Sequence, residues 1–313
     1  MCLNGYKDYI SEFMPKIDFD SAAQQTFLNA IDLVSKNKRA ADMFCKLLDR
    51  YEKDYLTQHS ELINQIKPIS ELCGVHEYTL DMLLFLCMSK TLKRLYDERS
   101  IPENIFYDSM HDLSYKLNEC RIIHKIDGTF VAFWYVVFFQ LKCFALGRLQ
   151  FELKNTYYEY TFRGKVYPVG SRVISIHIPR TGTPLNHQEV LESYKLAEKV
   201  FGSEFGDEPM LFLCDSWLLD PWLTSVLKPE SNLVAFQNDF EIVKTGESYD
   251  YKSLWMVFDS IYTGDVDALP NDTTMRRAYI ERIKRNEPLG LPPFRTPERA
   301  RLTAVQSELI ASS

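Results

Sequence analysis

The amino-acid sequence predicts an α+β protein, in which an N-terminal helical domain precedes a mixed β-sheet flanked by helices. Residues 1–118 show only helix-type hydrophobic periodicity. From about residue 120 the pattern changes to short segments of strand length. One strand–helix–strand crossover, residues 173–215, lies among hairpin candidates. We therefore expect a domain boundary at residues 118/119, with the second domain running to residue 313.

The helical domain is best marked by two segments. Residues 40–56, "AADMFCKLLDRYEKDYL", place apolar side chains at spacings of three and four, which is typical of an amphipathic helix. Residues 77–100 are apolar on most sides, so this helix is expected to be central. The helices form either a separate bundle or a lid on the second domain.

The second domain reads as a mixed order of strands and helices. The expected strands are "RIIHKI" (121–126), "RLQFEL" (148–153), "YYEYTF" (157–162), "SRVISIHI" (171–178), "PMLFLCDSW" (209–217), the end of "SNLVAFQNDFEIV" (231–243) and "LWMVFDSIY" (254–262). The expected helices are 130–147, 187–201, a short one in 220–227, and 273–286 capped by Thr273 or Asp272. A proline-rich tail, 287–300, is expected to wrap the surface.

Composition excludes several classes of function. The formal net charge of -7 argues against nucleic acid as a partner, because binding a polyanion needs a basic surface. Seven cysteines with no C-x-x-C pair are typical of reduced thiols in a cytoplasmic protein, and no histidine spacing predicts a metal site. The most apolar run, residues 130–147, is too short and too polar for a membrane span. The oligomeric state stays open.

The stretch "VISIHIPRTGTPLNHQEVLESYKLAEKVF", residues 173–201, contains the candidate anion-binding segment. A buried strand runs through a loop with Gly182 and Pro184 into a long helix, whose N-terminus favours an anion. Asn186 with Glu189 can cap this helix. The alternative is a plain strand–helix turn.

The order of elements over residues 121 to about 262 resembles the GNAT superfamily of acyl-CoA-dependent N-acyltransferases. A closer likeness is to a bacterial two-domain group with a helical N-acyltransferase N-terminal domain and a GNAT-like C-terminal domain. The phrases "LGRLQFEL", "HIPRTGTPL", "CDSWLL" and "LPNDTTMRRA" carry that likeness. The resemblance implies acyl-CoA, with acetyl expected, as co-substrate and a small-molecule amine as acceptor.

In the superfamily, the amides of an R/Q-x-x-G-x-G/A loop bind the pyrophosphate of acyl-CoA. The matching positions here are Ile178, Arg180, Thr181, Gly182, Thr183, Leu185 and Asn186. This chain departs from the pattern, because one residue instead of two separates Arg180 from Gly182. Pro184 stands near the second small position and has no N–H to donate. The resemblance also implies an oxyanion donor among the amides of residues 175–178.

Three residues are catalytic candidates. His177 shares a strand face with Val173 and Ser175 and is a candidate general base, or else a buried histidine bonded to backbone. Cys214 on the next strand is expected near the thioester, where it could form a Cys–His acyl-enzyme pair with His177 or stay an inert buried thiol. The resemblance places Phe236 where a tyrosine acid is common, so Tyr194 is the substitute candidate.

Two further features are ambiguous. Asp215 either lines a crevice at the end of its strand or caps the following helix. Arg276 and Arg277 either reach a phosphate or lie on a solvated helix face.

We expect an N-acyltransferase that works by direct attack of the amine. The alternative is a degenerate module that binds CoA or another small ligand without turnover.

Overall fold

The computed structural model describes residues 3–206, 208, 210–244, 251–289 and 303–306. The chain divides into two compact units, Met1–Ala145 and Leu146–Ser313. The expected boundary at 118/119 falls inside a helix instead, and the helical region continues for about another twenty residues. The α+β fold class is confirmed.

The first unit is helical. Its α-helices are α1 (Asn4–Phe13), α2 (Ser21–Lys36), α3 (Lys38–Lys53), α4 (His59–Ile63), α5 (Ile66–Cys73), α6 (Glu77–Glu98), α7 (Glu103–His124) and α8 (Val136–Phe139), with 3-10 turns at Met14–Ile17 and Ala132–Tyr135. Helix α6 packs against α1, α2, α3, α5 and α7. It is therefore the central helix that its all-round apolar character predicts, and most of its length is buried.

Two expected elements of this unit are wrong. "RIIHKI" is not a strand, because residues 121–124 form the last turn of α7. Leu117 and Cys120 are buried and extend the apolar stripe of that helix to its end. The apolar run 130–147 is not one helix: it breaks at Leu141, which has a φ of 56°. The chain then enters strand β1 (Cys143–Leu146).

The cysteines are mostly as expected. Among the described residues Cys73, Cys87, Cys120, Cys143 and Cys214 form no disulfide bond. Cys45, however, is disulfide-bonded, so the expectation of reduced thiols is wrong there. An odd count and a missing C-x-x-C pair carry no information about a bond between residues distant in sequence.

The second unit holds the remaining strands and helices. They are β2 (Leu149–Asn155), β3 (Tyr160–Phe162), β4 (Lys165–Tyr167), β5 (Arg172–His177), α9 (His187–Phe201), β6 (Phe212–Asp215), α10 (Trp222–Val226), α11 (Asn232–Gln237), β7 (Phe240–Lys244), α12 (Trp255–Phe258), α13 (Thr274–Lys284) and β8 (Thr303–Gln306). Helix α9 matches its expected bounds, and Thr273 caps α13 by accepting a hydrogen bond from the amide of Arg276.

A six-stranded sheet has the order β1-β2-β5-β6-β8-β7, and β3 and β4 form a separate hairpin. Strand β5 pairs antiparallel with β2 and parallel with β6, with α9 as the crossover. Strand β8, which was not expected from the sequence, lies between β6 and β7. Most of the proline-rich tail lies outside the described residues.

The expected last strand, "LWMVFDSIY", is not a strand: residues 254–258 are helical and residues 259–262 are irregular. Leu254 ends a 3-10 turn, and Trp255–Phe258 form α12. Leu254, Val257 and Phe258 are buried together with side chains of α13, including Tyr279. Their spacing of three and four puts them on one helical face, which a strand could not do.

Helix α9 packs on one face of the sheet. Tyr194 of α9 contacts two rings of the sheet. Its ring centroid lies 6.4 Å from that of Phe151 in β2 and 5.7 Å from that of Phe212 in β6. The opposite face carries an apolar cluster with Val173, Leu213 and the hairpin residues Tyr160 and Phe162. No helix in the described part of the chain is both long and apolar enough to cross a bilayer.

Gly147 begins the tight turn between β1 and β2. Its φ is 70°, and a Cβ there would lie 2.7 Å from Oγ of Ser193. That hydroxyl donates to the carbonyl of Glu189 and accepts from the amide of Arg148, so it cannot move freely. The turn therefore needs glycine both for its conformation and for its close approach to α9.

We expect Gly147→Ala to lower the free energy of unfolding by about 1–3 kcal/mol more than Gly164→Ala does. Gly164 has a φ of 76°, and a Cβ added there would meet nothing within 4 Å, so its variant carries the backbone strain without the collision. Denaturant unfolding followed by circular dichroism measures both. Equal losses in the two variants would show that Ser193 gives way.

Candidate active site

The loop between β5 and α9 has a shape fixed by its own hydrogen bonds. Gly182 has a φ of 81°, in the left-handed region that favours glycine. The amide of Thr181 donates to the carbonyl of Pro179, and the amide of Thr183 donates to Oγ1 of Thr181. These two amides were expected to be open to a phosphate, but each already has an acceptor within the loop.

Three other loop amides have no acceptor among the described residues. Within the described part of the chain, the amides of Arg180, Gly182 and Leu185 donate no hydrogen bond. Asn186 caps α9 as expected, since its Oδ1 accepts from the amides of Gln188 and Glu189 at 2.9 and 3.3 Å. The free amides and the positive end of a 15-residue helix together favour an anion at this loop.

The side chain of Arg180 belongs to an ion-pair network. Its guanidinium pairs with the carboxylate of Asp259, which also accepts from Arg276 at 2.6 Å. Arg276 is about 15% exposed and donates from Nε to the carbonyl of Val257. Arg276 is thus part of the surroundings of the loop, whereas Arg277 bonds to the carbonyl of Asn271 at the start of α13.

His177 lies at the end of β5 with Glu152 of β2 beside it. Its Nε2 is 2.9 Å from Oε2 of Glu152, and the two side chains are 21% and 14% exposed. A neutral imidazole that donates from Nε2 keeps its lone pair on Nδ1, where it can accept a proton. Glu152 was missed as a site residue at the level of sequence, because only the β2–β5 register brings it to His177.

The same sheet face carries an ion pair of Asp215 with Lys154. Asp215 of β6 lies 3.6 Å from Nζ of Lys154, and Tyr158 donates to it at 3.2 Å. Asp215 therefore lines this face and does not cap the following helix, which Ser216 does by accepting from the amide of Leu218. Strand alternation puts Asp215 on the side of His177, since Ser175 pairs with Leu213.

Cys214 lies on the other face of the sheet. It pairs in register with Ile176, so it cannot share a face with His177 one residue further along β5. Its side chain is fully buried, and burial raises the pKa of its thiol well above the usual range. The expected Cys–His acyl-enzyme pair is therefore excluded by strand register, and the thiol is held in its unreactive form.

Tyr194 also belongs to the face of Cys214. It is buried, and its hydroxyl donates to Oδ2 of Asp239 at 3.3 Å. Nε2 of His187 lies 2.8 Å from the other carboxylate oxygen. Burial first, and the charge of Asp239 second, raise the pKa of Tyr194 far above that of a free phenol. This arrangement favours a structural role, with Asp239 joining two positions of α9 to the start of β7.

The pairing of β5 with β6 is short. It covers only Ile174–Ile176 opposite Phe212–Cys214. Ile178 and Ser216 follow the last pair at the carboxyl ends of two parallel strands, where ligands bind in open α/β sheets. The loop with its free amides begins at this point, and the His177–Glu152 pair flanks it.

Comparison with known proteins identifies a domain family for each half of the chain. The family model described as an N-acyltransferase N-terminal domain matches residues 8–141, and that of a GNAT-like C-terminal domain matches residues 143–291. The chain belongs to the two-domain GNAT-like acyltransferase family. Between them, the two matches span both compact units, and the resemblance read from the sequence is confirmed.

Solved acyltransferase structures share the fold of this GNAT-like chain. One, in complex with decanoyl-CoA and teicoplanin, has a TM-score of 0.71 at 18% identity, covering 94% of this chain and 86% of its own. Another, in complex with CoA and 10C-teicoplanin, has a TM-score of 0.72 at 18% identity, covering 95% and 86%. A search of curated protein sequences finds no match.

We expect Tyr194→Phe to lower the free energy of unfolding by about 1–2 kcal/mol, because buried Asp239 loses a donor. Tyr279→Phe is the matched control: its hydroxyl is buried and has no hydrogen-bond partner among the described residues. Removing that hydroxyl should be neutral or stabilising. The structural role of Tyr194 is contradicted if denaturant unfolding gives equal values for the two variants.

Proposed function

We propose that this GNAT-like protein is an N-acyltransferase that moves an acyl group from acyl-CoA to an amine by direct attack. The observation that carries the proposal is the loop between β5 and α9, with free amides of Arg180, Gly182 and Leu185, next to the His177–Glu152 pair. The family and the acyl-CoA complexes of the structural neighbours support the same co-substrate.

The loop would hold the pyrophosphate of acyl-CoA. Pro184 would not close this site to an anion, since the amides of Gly182 and Leu185 donate no hydrogen bond in the described part of the chain. The guanidiniums of Arg180 and Arg276 lie beside the loop, where they pair with the carboxylates of Asp259 and Asp272. The amide of Ile178, two residues beyond the last β5–β6 pair, is the proposed hydrogen-bond donor to the thioester oxygen.

The acceptor amine would approach the face that carries Glu152 and Asp215. His177 removes a proton as the nitrogen attacks the thioester carbon, and Glu152 stabilises the imidazolium that forms. The C–S bond then breaks, and the thiolate of CoA takes a proton from His177 or from water.

Binding without turnover is the second candidate, and one observation favours it. Phe236, at the position where the superfamily often has a tyrosine acid, is buried and packs on Phe240 with ring centroids 4.9 Å apart. It can donate no proton. If the thiolate needs a protein acid, the module binds acyl-CoA and releases it unchanged.

Calorimetric titration with CoA tests the loop. We expect wild type to bind CoA saturably and Gly182→Trp to lose that binding, because the bulk fills the space before the amides. Gly170→Trp is the control, since its φ of 88° and its open surroundings match those of Gly182 at 81°. Absence of CoA binding by wild type at millimolar concentration would refute the proposal.

Release of free CoA thiol from acetyl-CoA and decanoyl-CoA, in the presence of a panel of primary amines, tests catalysis. We expect His177→Gln to lower kcat about 10²–10⁴-fold, because the proposed general base is lost. Glu152→Gln should lower kcat about tenfold, through weaker support of the imidazolium.

Cys214→Ala is the control for this series and should keep kcat within roughly threefold, since the thiol lies on the opposite face. Loss of turnover in this variant would instead favour a covalent intermediate. CoA binding without thiol release for every amine would favour the binding module.

A further inference from the structure

Arg148 reaches from the β1–β2 turn to the loop between β5 and α9. Its Nε donates to the carbonyl of Pro184 at 3.3 Å, Nη1 to that of Pro179 at 3.2 Å, and Nη2 to that of Thr183 at 3.2 Å. A guanidinium presents its donors in a rigid planar fork. One side chain therefore ties the start of the loop to its end.

The base of this side chain is also held in place. The amide of Arg148 donates to Oγ of Ser193 at 2.7 Å, and that hydroxyl donates to the carbonyl of Glu189. The preceding residue, Gly147, allows this close approach to α9. The backbone of Arg148 is thus anchored to the first turns of α9, the helix that follows the loop.

Two of the three carbonyls belong to peptide units that matter for binding. The carbonyl of Pro179 shares its peptide unit with the amide of Arg180, and that of Pro184 shares one with the amide of Leu185. In a trans peptide the C=O and N–H point in opposite directions, and no described peptide bond is cis. Holding these carbonyls toward Arg148 therefore turns the amides of Arg180 and Leu185 away from it, and both have no acceptor among the described residues.

We propose that Arg148 is a positioning residue that orients the phosphate loop, so that the amides of Arg180 and Leu185 face the pyrophosphate of CoA. This role rests on the proposed function. Arg148 would touch no substrate itself. It also places a positive charge behind the loop, but the charge alone does not account for three directed hydrogen bonds.

The test compares the affinities of CoA and pantetheine, which lacks the pyrophosphate, by calorimetric titration of the full chain. We expect Arg148→Lys and Arg148→Met each to weaken CoA binding about tenfold or more. Binding of pantetheine should change little. Lysine keeps the charge but cannot bond three separated carbonyls. Arg172→Met, which removes a surface guanidinium bonded to the carbonyl of Glu204, should leave both affinities unchanged.

Three results would overturn this role. Wild-type CoA affinity in Arg148→Lys would mean that only charge matters. Equal weakening for CoA and pantetheine would mean general damage to the unit. Wild-type CoA affinity in Arg148→Met would mean that the loop does not need the hydrogen bonds of Arg148. If this variant fails to fold, the ratio of the affinities for CoA and pantetheine in Arg148→Lys still tests the role. Failure of wild type to bind CoA better than pantetheine would instead remove the proposed function itself.

Discussion

The pairing of β5 with β2 and β6 decides which side chains of the second unit can meet. Ser175 is opposite Glu152 and next to Leu213, and Ile176 is opposite Phe151 and next to Cys214. Because side chains alternate along a strand, a slip of one residue would exchange the two faces of β5. The polar face with His177 and Glu152 and the apolar face under α9 both depend on this register.

The two faces perform different tasks. The face under α9 is packed with aromatic rings and contains the carboxylate of Asp239, which receives hydrogen bonds from α9. Since an unpaired buried charge is costly, these bonds restrict how α9 can shift against β7. The N-terminus of α9, and with it the loop of Gly182, is therefore fixed by contacts on the side away from His177 and Glu152.

Much of the GNAT-like half could be predicted from the sequence, because its signals are local. The crossover of β5, α9 and β6, the Asn186 cap and the Thr273 cap each depend on residues within a few positions of one another. The family resemblance added the loop and its chemistry. His177 was a candidate because its residue type and its strand position are both visible in the sequence.

The remaining features depend on pairs distant in sequence. Glu152 meets His177 across 25 residues, and Arg148 reaches Pro184 across 36, so neither contact leaves a periodic signal. The same limit explains why "RIIHKI" and "LWMVFDSIY" were assigned to strands. Short β-branched and aromatic runs fit either a strand or a helical turn. Helix α7 continues through residues 121–124, and packing with α13 buries Leu254, Val257 and Phe258 on one helical face.

A crystal structure of the protein with a non-hydrolysable acyl-CoA analogue tests directly where the pyrophosphate and the acyl group bind. We expect pyrophosphate oxygens within hydrogen-bond distance of the amides of Arg180, Gly182 and Leu185. The carbonyl carbon should lie on the face of His177, beyond the last β5–β6 pair. A pyrophosphate bound away from the loop, or a carbonyl on the face of Cys214, would contradict the account.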